Sequence, residues 1–259
     1  MKKEKCHIVK IGGKLIDEPH LYQRILQSFS ALEQKKILVH GGGKLGSDFL
    51  SRLNIPVQYH EGRRITDLET MDILVMVYGG SINKRITADL QKMGTDALGL
   101  SGCDLNIIQA EKRPVKKIDY GYAGDIKNIR IKRINDLLNL GAVPVISPIT
   151  HNLNGQLLNT NADTVASALA TALADLYEVE LHFCFELPGV LEDVSKPSSL
   201  IQEMNYQEYL RLREHGIIHQ GMLPKLHNSF QALQENVRLV TIGEPEHFLN
   251  GTNHTTLTL

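Results

Sequence analysis

Lys10 stands just before a glycine pair, Gly12 and Gly13, in the run Val9-Lys-Ile-Gly-Gly, and a second run, Gly41-Gly42-Gly43, follows His40. Both clusters come directly after short apolar runs of the kind that form strands. A strand ending in glycines lets the backbone approach an anion closely, while the N–H groups of the next helix start supply donors and a positive dipole end. Both therefore read as phosphate loops, with a plain strand-to-helix turn as the alternative for either alone. Arg63 and Arg64 follow Gly62, and an arginine fork is the preferred partner of a carboxylate, although paired arginines also occur as solvated surface.

Two further clusters open helices. Asn159-Thr-Asn-Ala-Asp163 ends a hairpin, and one of its polar residues can serve as an N-cap. So many polar residues in a five-residue stretch exceed what capping requires. Gly221-Met-Leu-Pro-Lys225 also begins a helix, where proline is ordinary punctuation. A lysine there is disfavoured by the helix dipole unless an anion compensates it, which makes Lys225 a candidate phosphate ligand.

Other chemistries fit less well. Gly41, Gly43 and Gly46 satisfy the dinucleotide fingerprint, with Glu61 placed for a ribose contact, but the fingerprint belongs on the first strand of its unit. Here an earlier strand already carries Lys10 and its own glycines. His40-Gly-Gly-Gly suggests an esterase oxyanion loop, yet no G-x-S-x-G elbow occurs, and no Walker A loop is present.

The elements that must hold these residues alternate. Apolar runs Cys6 to Ile11, Ile37 to His40, Ala97 to Leu100 and Val143 to Ile146 read as strands, and Leu21 to Leu32, Leu45 to Leu53 and Met71 to Ile86 as helices. This predicts an α/β fold with a mostly parallel sheet covered by helices. Arg113 to Ile131, centred on Tyr120-Gly-Tyr-Ala-Gly, and Ile149 to Leu158 read as projecting β-hairpins. After them come an Ala-rich helix to about Ala174, a strand around Leu181 to Phe185, helices Tyr206 to Glu214 and Met222 to Gln234, and a strand Val237 to Ile242. Lys196-Pro-Ser-Ser is the one composition break and reads as a surface loop.

Composition narrows the partners. The chain has 259 residues, enough for one large α/β domain, and 28 Lys and Arg against 29 Asp and Glu give a net charge of -1. No global basic field favours nucleic acid or an anionic membrane. Cys6, Cys103 and Cys184 are scattered and odd in number, which argues against a disulfide framework or a zinc site and for a reducing, cytoplasmic setting. No secretory signal or membrane-spanning run is evident.

Taken in order, Val9-Lys-Ile-Gly-Gly, His40-Gly-Gly-Gly, Gly62-Arg-Arg-Ile-Thr, Asn83-Lys, Asn159-Thr-Asn-Ala-Asp and Gly221-Met-Leu-Pro-Lys resemble the amino-acid kinase family, and within it the acetylglutamate branch. The resemblance implies an open αβα sandwich in a single domain over 1–259. Its N-terminal lobe, about 1–175, would bind the acylglutamate, and its C-terminal lobe, about 176–259, the nucleotide. It implies phosphorylation of the acylglutamate side-chain carboxylate by ATP with Mg2+, as the second step of arginine biosynthesis. By similarity Lys10 and Lys225 stabilise the transferring phosphoryl group, and Asp163 holds both lysines. Gly42 and Gly43 contact the amino-acid substrate, Arg64 clamps its α-carboxylate, and Asn159 binds its amide region. Gly12, Gly13, Glu186, Gly189 and Ile218 would contact the nucleotide, and no metal-binding side chain is expected.

The chain departs from the family where Phe185-Glu186-Leu-Pro-Gly189 places a glutamate at a common aspartate position, and after Val240, where the match weakens. Three expectations remain at this level. Retention of both lysines and Asp163 favours an enzyme over a non-catalytic ligand sensor, with an NAD-dependent dehydrogenase as the other rival. Only Met1 to Lys5 precede the first strand, so the chain is expected to be a homodimer insensitive to arginine. The acyl group is expected to be acetyl, but extra cations near the substrate lobe, Arg63, Lys44, Lys116 and Lys117, leave succinyl as the alternative.

Overall fold

The computed structural model describes residues 3–42, 44–60, 63–218, 222–251 and 253–259. Its strands, in chain order, are β1 (Lys5–Ile11), β2 (Lys35–His40), β3 (Tyr59–His60), β4 (Arg63–Arg64), β5 (Ala97–Leu100), β6 (Ile108–Lys112) and β7 (Gly124–Ile129). They continue with β8 (Val143–Ile146), β9 (Ile149–His151), β10 (Leu157–Asn159), β11 (Glu178–Cys184), β12 (Glu203–Asn205), β13 (Leu239–Gly243) and β14 (His254–Thr258). The principal sheet runs β12-β14-β13-β11-β1-β2-β8-β5, and its central pairs are parallel. β14 lies antiparallel to β13.

β1 is central and buried on both faces, which is why its sequence, Lys-Cys-His-Ile-Val-Lys-Ile, reads as an apolar run without clean alternation. Helices cover the sheet. One core cluster packs around α7 (Ala162–Leu173), α8 (Tyr206–Glu214) and α9 (Leu223–Gln234), with α6 (Ile131–Asn139) at its margin. The other cluster packs around α1 (Gly13–Asp17), α2 (Pro19–Ser30), α3 (Leu45–Arg52), α4 (Leu68–Leu74) and α5 (Asn83–Lys92). The small side chains of α7 let it lie against both β1 and β11, and Asn161 caps it by accepting from the Thr164 N–H. Of the polar residues in the Asn159 to Asp163 motif, Asn161 is therefore the N-cap.

α4 and α5 are joined by a π-helical stretch, Val75–Ile82, which contains Gly79 and Gly80. The wider turn shifts the side-chain register, and such stretches recur at functional sites. Here it carries Tyr78.

The expected parallel sheet, its order of helices and strands, and the hairpin at Ile149 to Leu158 are all present, and Pro197–Ser199 is a short 3₁₀ turn in a surface loop. The other hairpin is displaced. Its strands are β6 and β7, so Arg113 to Ala123 is the connection between them, and Ile131 opens α6. The reason is local: Tyr120 and Tyr122 exchange backbone hydrogen bonds with Thr66, so this segment lies along the Arg63 to Thr66 turn. Gly121 has φ +64 there, and a Cβ would sit 2.1 Å from the Thr66 carbonyl oxygen. Both hairpins join one small sheet, β10-β9-β6-β7.

Candidate active site

Three sequence-distant residues meet at the centre. Lys10 comes from β1, Asp163 from the first turn of α7 and Lys225 from the first turn of α9. Lys10 Nζ is 2.7 Å and Lys225 Nζ 2.9 Å from the same carboxylate oxygen, Oδ1 of Asp163. Lys225 also lies 4.5 Å from the centre of the Phe183 ring, on the strand beside β1. The anion that a lysine at a helix start demanded is therefore Asp163.

The electrostatics follow from burial. Desolvation pushes the Asp163 carboxyl up, but the Lys10 and Lys225 ammonium groups outweigh it and hold the group well below the usual carboxylate range. Burial pulls Lys225 down to about 8, against the attraction of Asp163. Asp163 is thus a fixed anion and no proton acceptor near neutral pH.

Beside this triad lies a cavity of about 220 Å³, lined by Lys10, Asp163, Gly41, Gly42, Arg63, Arg64, Tyr59, Tyr78, Arg113 and Asn159, among others. The predicted substrate residues Gly42, Arg64 and Asn159 all reach it. Gly43, Gly62 and Glu61 lie outside the described residues, as does Gly221 ahead of Lys225. Gly42 has to be glycine, because a Cβ would lie 1.9 Å from Cε1 of Tyr78, and Gly46 in α3 faces the same ring. A dinucleotide loop needs that space for pyrophosphate, and a tyrosine ring fills it.

Arg64 is buried, and its Nη2 donates to the Ser47 hydroxyl at 2.8 Å and to the Tyr59 hydroxyl. Its Nη1 is buried with no partner among the described residues. A guanidinium so fixed, with one donor left over in a cavity, is arranged for an incoming acceptor. Asn159 Nδ2 donates to Thr66 Oγ1 at 3.0 Å, which ties it to the same turn.

The predicted nucleotide residues are not part of this cavity. Gly12 caps α1, and its N–H bonds the Cys184 carbonyl at 3.0 Å, with Gly13 opening the helix. The neighbouring Gly41 N–H bonds the Ile11 carbonyl at 3.1 Å, so the two glycine turns stand side by side. Glu186 forms an ion pair with Lys14 at 2.6 Å. Gly189 packs tightly against Thr255, and Ile218 is buried.

Sequence reasoning missed Tyr59, Tyr78 and Arg113. The Gly79-Gly80 pair inside a helical pattern was the available signal for Tyr78, since it marks an irregular helix. Of the four extra cations named from sequence, only Arg63 lines the cavity; Lys116 and Lys117 border a different one, and the Lys44 N–H is engaged with Asp17. Arg113, at the cavity, is paired with Asp125.

His40 is fully buried. Its Nδ1 donates to the Gly41 carbonyl at 2.9 Å and its Nε2 accepts from Asn83 at 3.1 Å, while burial lowers it to about 4. It is a neutral brace between β2 and α5, and no acid-base role falls to it.

Known proteins agree with this architecture. The model of the amino acid kinase family matches residues 5–244. An acetylglutamate kinase from Bacteroides fragilis is 44% identical over 252 residues, covering 96% of this chain and 97% of that one. Another from Cytophaga hutchinsonii is 48% identical over 244 residues, covering 94% and 92%. Among solved structures, smu.665 from Streptococcus mutans UA159 superposes with a TM-score of 0.81 at 23% identity, covering 98% of each chain. With a matched stretch that spans every element carrying the two lysines, the aspartate and the buried arginine, the chain belongs to the amino acid kinase family.

Proposed function

We propose that this protein transfers the γ-phosphoryl group of MgATP to the side-chain carboxylate of N-acetyl-L-glutamate, as its acetylglutamate kinase relatives are named for, within arginine biosynthesis. The observation that carries the proposal is the convergence of Lys10 and Lys225 on one oxygen of Asp163 beside a cavity lined by Arg64, whose Nη1 has no partner among the described residues.

The chemistry needs what these residues offer. A glutamate side chain, with a pKa near 4.3, is already ionised at neutral pH, so its oxygen attacks phosphorus without a general base. The bond from phosphorus to the β,γ-bridging oxygen breaks, and ADP leaves with that electron pair. Two anions must be held in line while charge spreads over the phosphoryl oxygens, so positioning and cations dominate. In this reading Lys10 and Lys225 face that charge, and Asp163 sets their spacing. Arg64 clamps the α-carboxylate, while Gly42, Gly43 and Asn159 seat the rest of the substrate. N-acylation has a chemical purpose, because a free α-amine would attack the γ-acyl phosphate and cyclise.

Gly12 and Gly13, at the start of α1 and next to Gly41, suit the nucleotide phosphates, with Glu186, Gly189 and Ile218 toward its adenosine part. Residues up to about 175 form the acceptor lobe and those after it the nucleotide lobe. Mg2+ belongs to the nucleotide substrate. It keeps several waters and binds through phosphate oxygens, which suits a cleft whose one central carboxylate is engaged by two ammonium groups.

We further propose a homodimer in the cytoplasm. The free cysteines suit a reducing compartment, and Met76 and Leu98 are exposed, the latter on the edge strand β5. Light scattering checks the assembly, and inhibition by millimolar arginine would contradict the expected insensitivity. No described helix is long and apolar enough to cross a membrane.

ADP release from MgATP, measured with and without N-acetylglutamate, tests the main proposal. Acceptor-dependent release supports it; none at all would favour a ligand sensor. A second reading, N-succinylglutamate as acceptor, is favoured by Arg63 and Arg113 at the cavity wall, since a buried second carboxylate needs a cation. It requires kcat/KM for the succinyl substrate to exceed that for the acetyl one by about tenfold or more, equivalent to about 1.4 kcal/mol. Equal or reversed values end that reading.

A further inference from the structure

On the sheet face opposite Lys10, two histidines and a glutamate converge without any role in the chemistry above. His7 of β1 is the cross-strand partner of Glu180 on β11, and His182 lies two residues further along β11. Residues two apart on a strand share a face, so all three side chains project together. His7 Nδ1 and His182 Nε2 are 3.1 Å apart, and Glu180 Oε2 lies 3.4 Å from the first and 3.8 Å from the second. An ion bound tetrahedrally at about 2.0–2.1 Å has its ligand atoms about 3.3–3.4 Å apart, which is the middle of that range.

We infer that His7, Glu180 and His182 form a binding site for a divalent transition-metal ion of the zinc type, with an open fourth position. The surrounding hydrogen bonds are arranged for it. His247 Nδ1 faces the Glu244 carbonyl at 2.7 Å, and a carbonyl only accepts, so in the neutral ring Nδ1 carries the proton and Nε2 does not. His247 Nε2 therefore accepts the Thr241 hydroxyl proton at 2.8 Å. The Thr241 oxygen in turn accepts from His182 Nδ1 at 2.8 Å, leaving the His182 Nε2 lone pair aimed at the other two ligands.

The carboxylate is fixed in the same way. Lys5 holds Glu180 Oε1 at 2.7 Å and leaves Oε2 for an ion. Such outer hydrogen bonds set tautomer and orientation at known zinc sites. Lys36, the cation facing this side from β2, spends its ammonium on the Ser30 and Leu32 carbonyls. Without an ion, His7 Nδ1–H donates to His182 Nε2; binding releases that proton or moves it to the far nitrogen of His7. Glu180 is partly exposed while both histidines are buried, so an ion enters on the carboxylate side.

The class of metal follows from the donors. Two imidazoles and one carboxylate suit zinc, cobalt or nickel, whereas Mg2+ prefers six oxygens and would not compete. A bound ion would tie β1 to β11, the strand pair that carries Lys10 and faces Lys225 through Phe183.

The test uses the full chain stripped with EDTA and titrated with Co2+ under anaerobic conditions. The expected result is saturation at one equivalent, with the intense visible bands of tetrahedral cobalt, displacement by Zn2+ but not by millimolar Mg2+, and a rise in Tm with either transition ion. Glu180→Gln, on the exposed side, should abolish the bands while keeping the circular dichroism of the wild type, and His182→Gln should do the same. Thr241→Val should weaken binding by about 10- to 100-fold. No tetrahedral spectrum in the wild type, or equal binding by wild type and Glu180→Gln, would overturn the site.

Discussion

Tyr78 stands so close to Gly42 that a methyl group on the glycine would lie 1.9 Å from the ring carbon Cε1. The tyrosine is 6% exposed, so the ring has little room to swing away. Gly42→Ala should therefore act as overpacking, costing about 1–3 kcal/mol of stability and displacing the cavity wall. Adding Tyr78→Leu should recover at least half of the lost Tm. An unchanged Tm in the single variant would show that the ring yields freely.

Lys225→Ala should keep the fold and lower kcat by roughly 100- to 1,000-fold, the scale of losing one preorganised charge-stabilising donor. Lys225 is 7% exposed and shares Asp163 Oδ1 with Lys10, so its loss removes half of the positive charge at that oxygen. Steady-state rates of ADP release in a variant with wild-type circular dichroism check this. Near-normal turnover would remove Lys225 from the mechanism.

The pH dependence follows from the same residue. Burial lowers Lys225 from 10.5 to about 8, so about half of its ammonium has lost its proton in the free enzyme near pH 8. kcat/KM, which reports the free enzyme, should fall above about pH 8, and Lys225→Arg, however active, should not show that limb. The stability contribution has the opposite sense. Between about pH 8 and 10.5 the unfolded chain holds this proton more tightly than the folded one, so the contribution of this group to stability rises with pH across that window. Denaturation midpoints of wild type and Lys225→Met, compared at pH 7.5 and 9.5, should show the wild type gaining relative to the variant.

Arg64→Lys should raise KM for the acylglutamate far more than it lowers kcat, because a point charge cannot replace a fork whose Nη2 is already fixed on Ser47. Michaelis–Menten kinetics at saturating MgATP decide it. An unchanged KM would place the substrate carboxylate elsewhere.

Much of this was legible in the chain itself. The order of strands and helices follows from apolar period and punctuation, which are local properties, and α8 falls at Tyr206–Glu214 as its pattern predicts. The two glycine clusters at strand ends and the anomaly of a lysine at a helix start are also local features. They were enough to name Lys10, Asp163, Lys225 and Arg64 through the ordered motifs. What failed was the hairpin placed at Arg113 to Ile131, because Tyr120 to Tyr122, with Gly121 between them, serve a long-range contact with Thr66 and no local turn pattern reveals that partner.

The sequence by itself determined the chemistry available, the alternation of elements and the family. Tertiary structure decided which groups act together. Asp163 Oδ1 lies under two lysines that are 215 residues apart in the chain, because α7 and α9 pack side by side over the sheet that contains β1. Tyr78 reaches Gly42 only because a π-helical stretch turns it inward, and His7 meets Glu180 and His182 only because β1 and β11 pair in parallel. The physical reason is common to all three. Periodicity fixes which face a residue takes, but pairing across the sheet and packing over it fix which other residue shares that face.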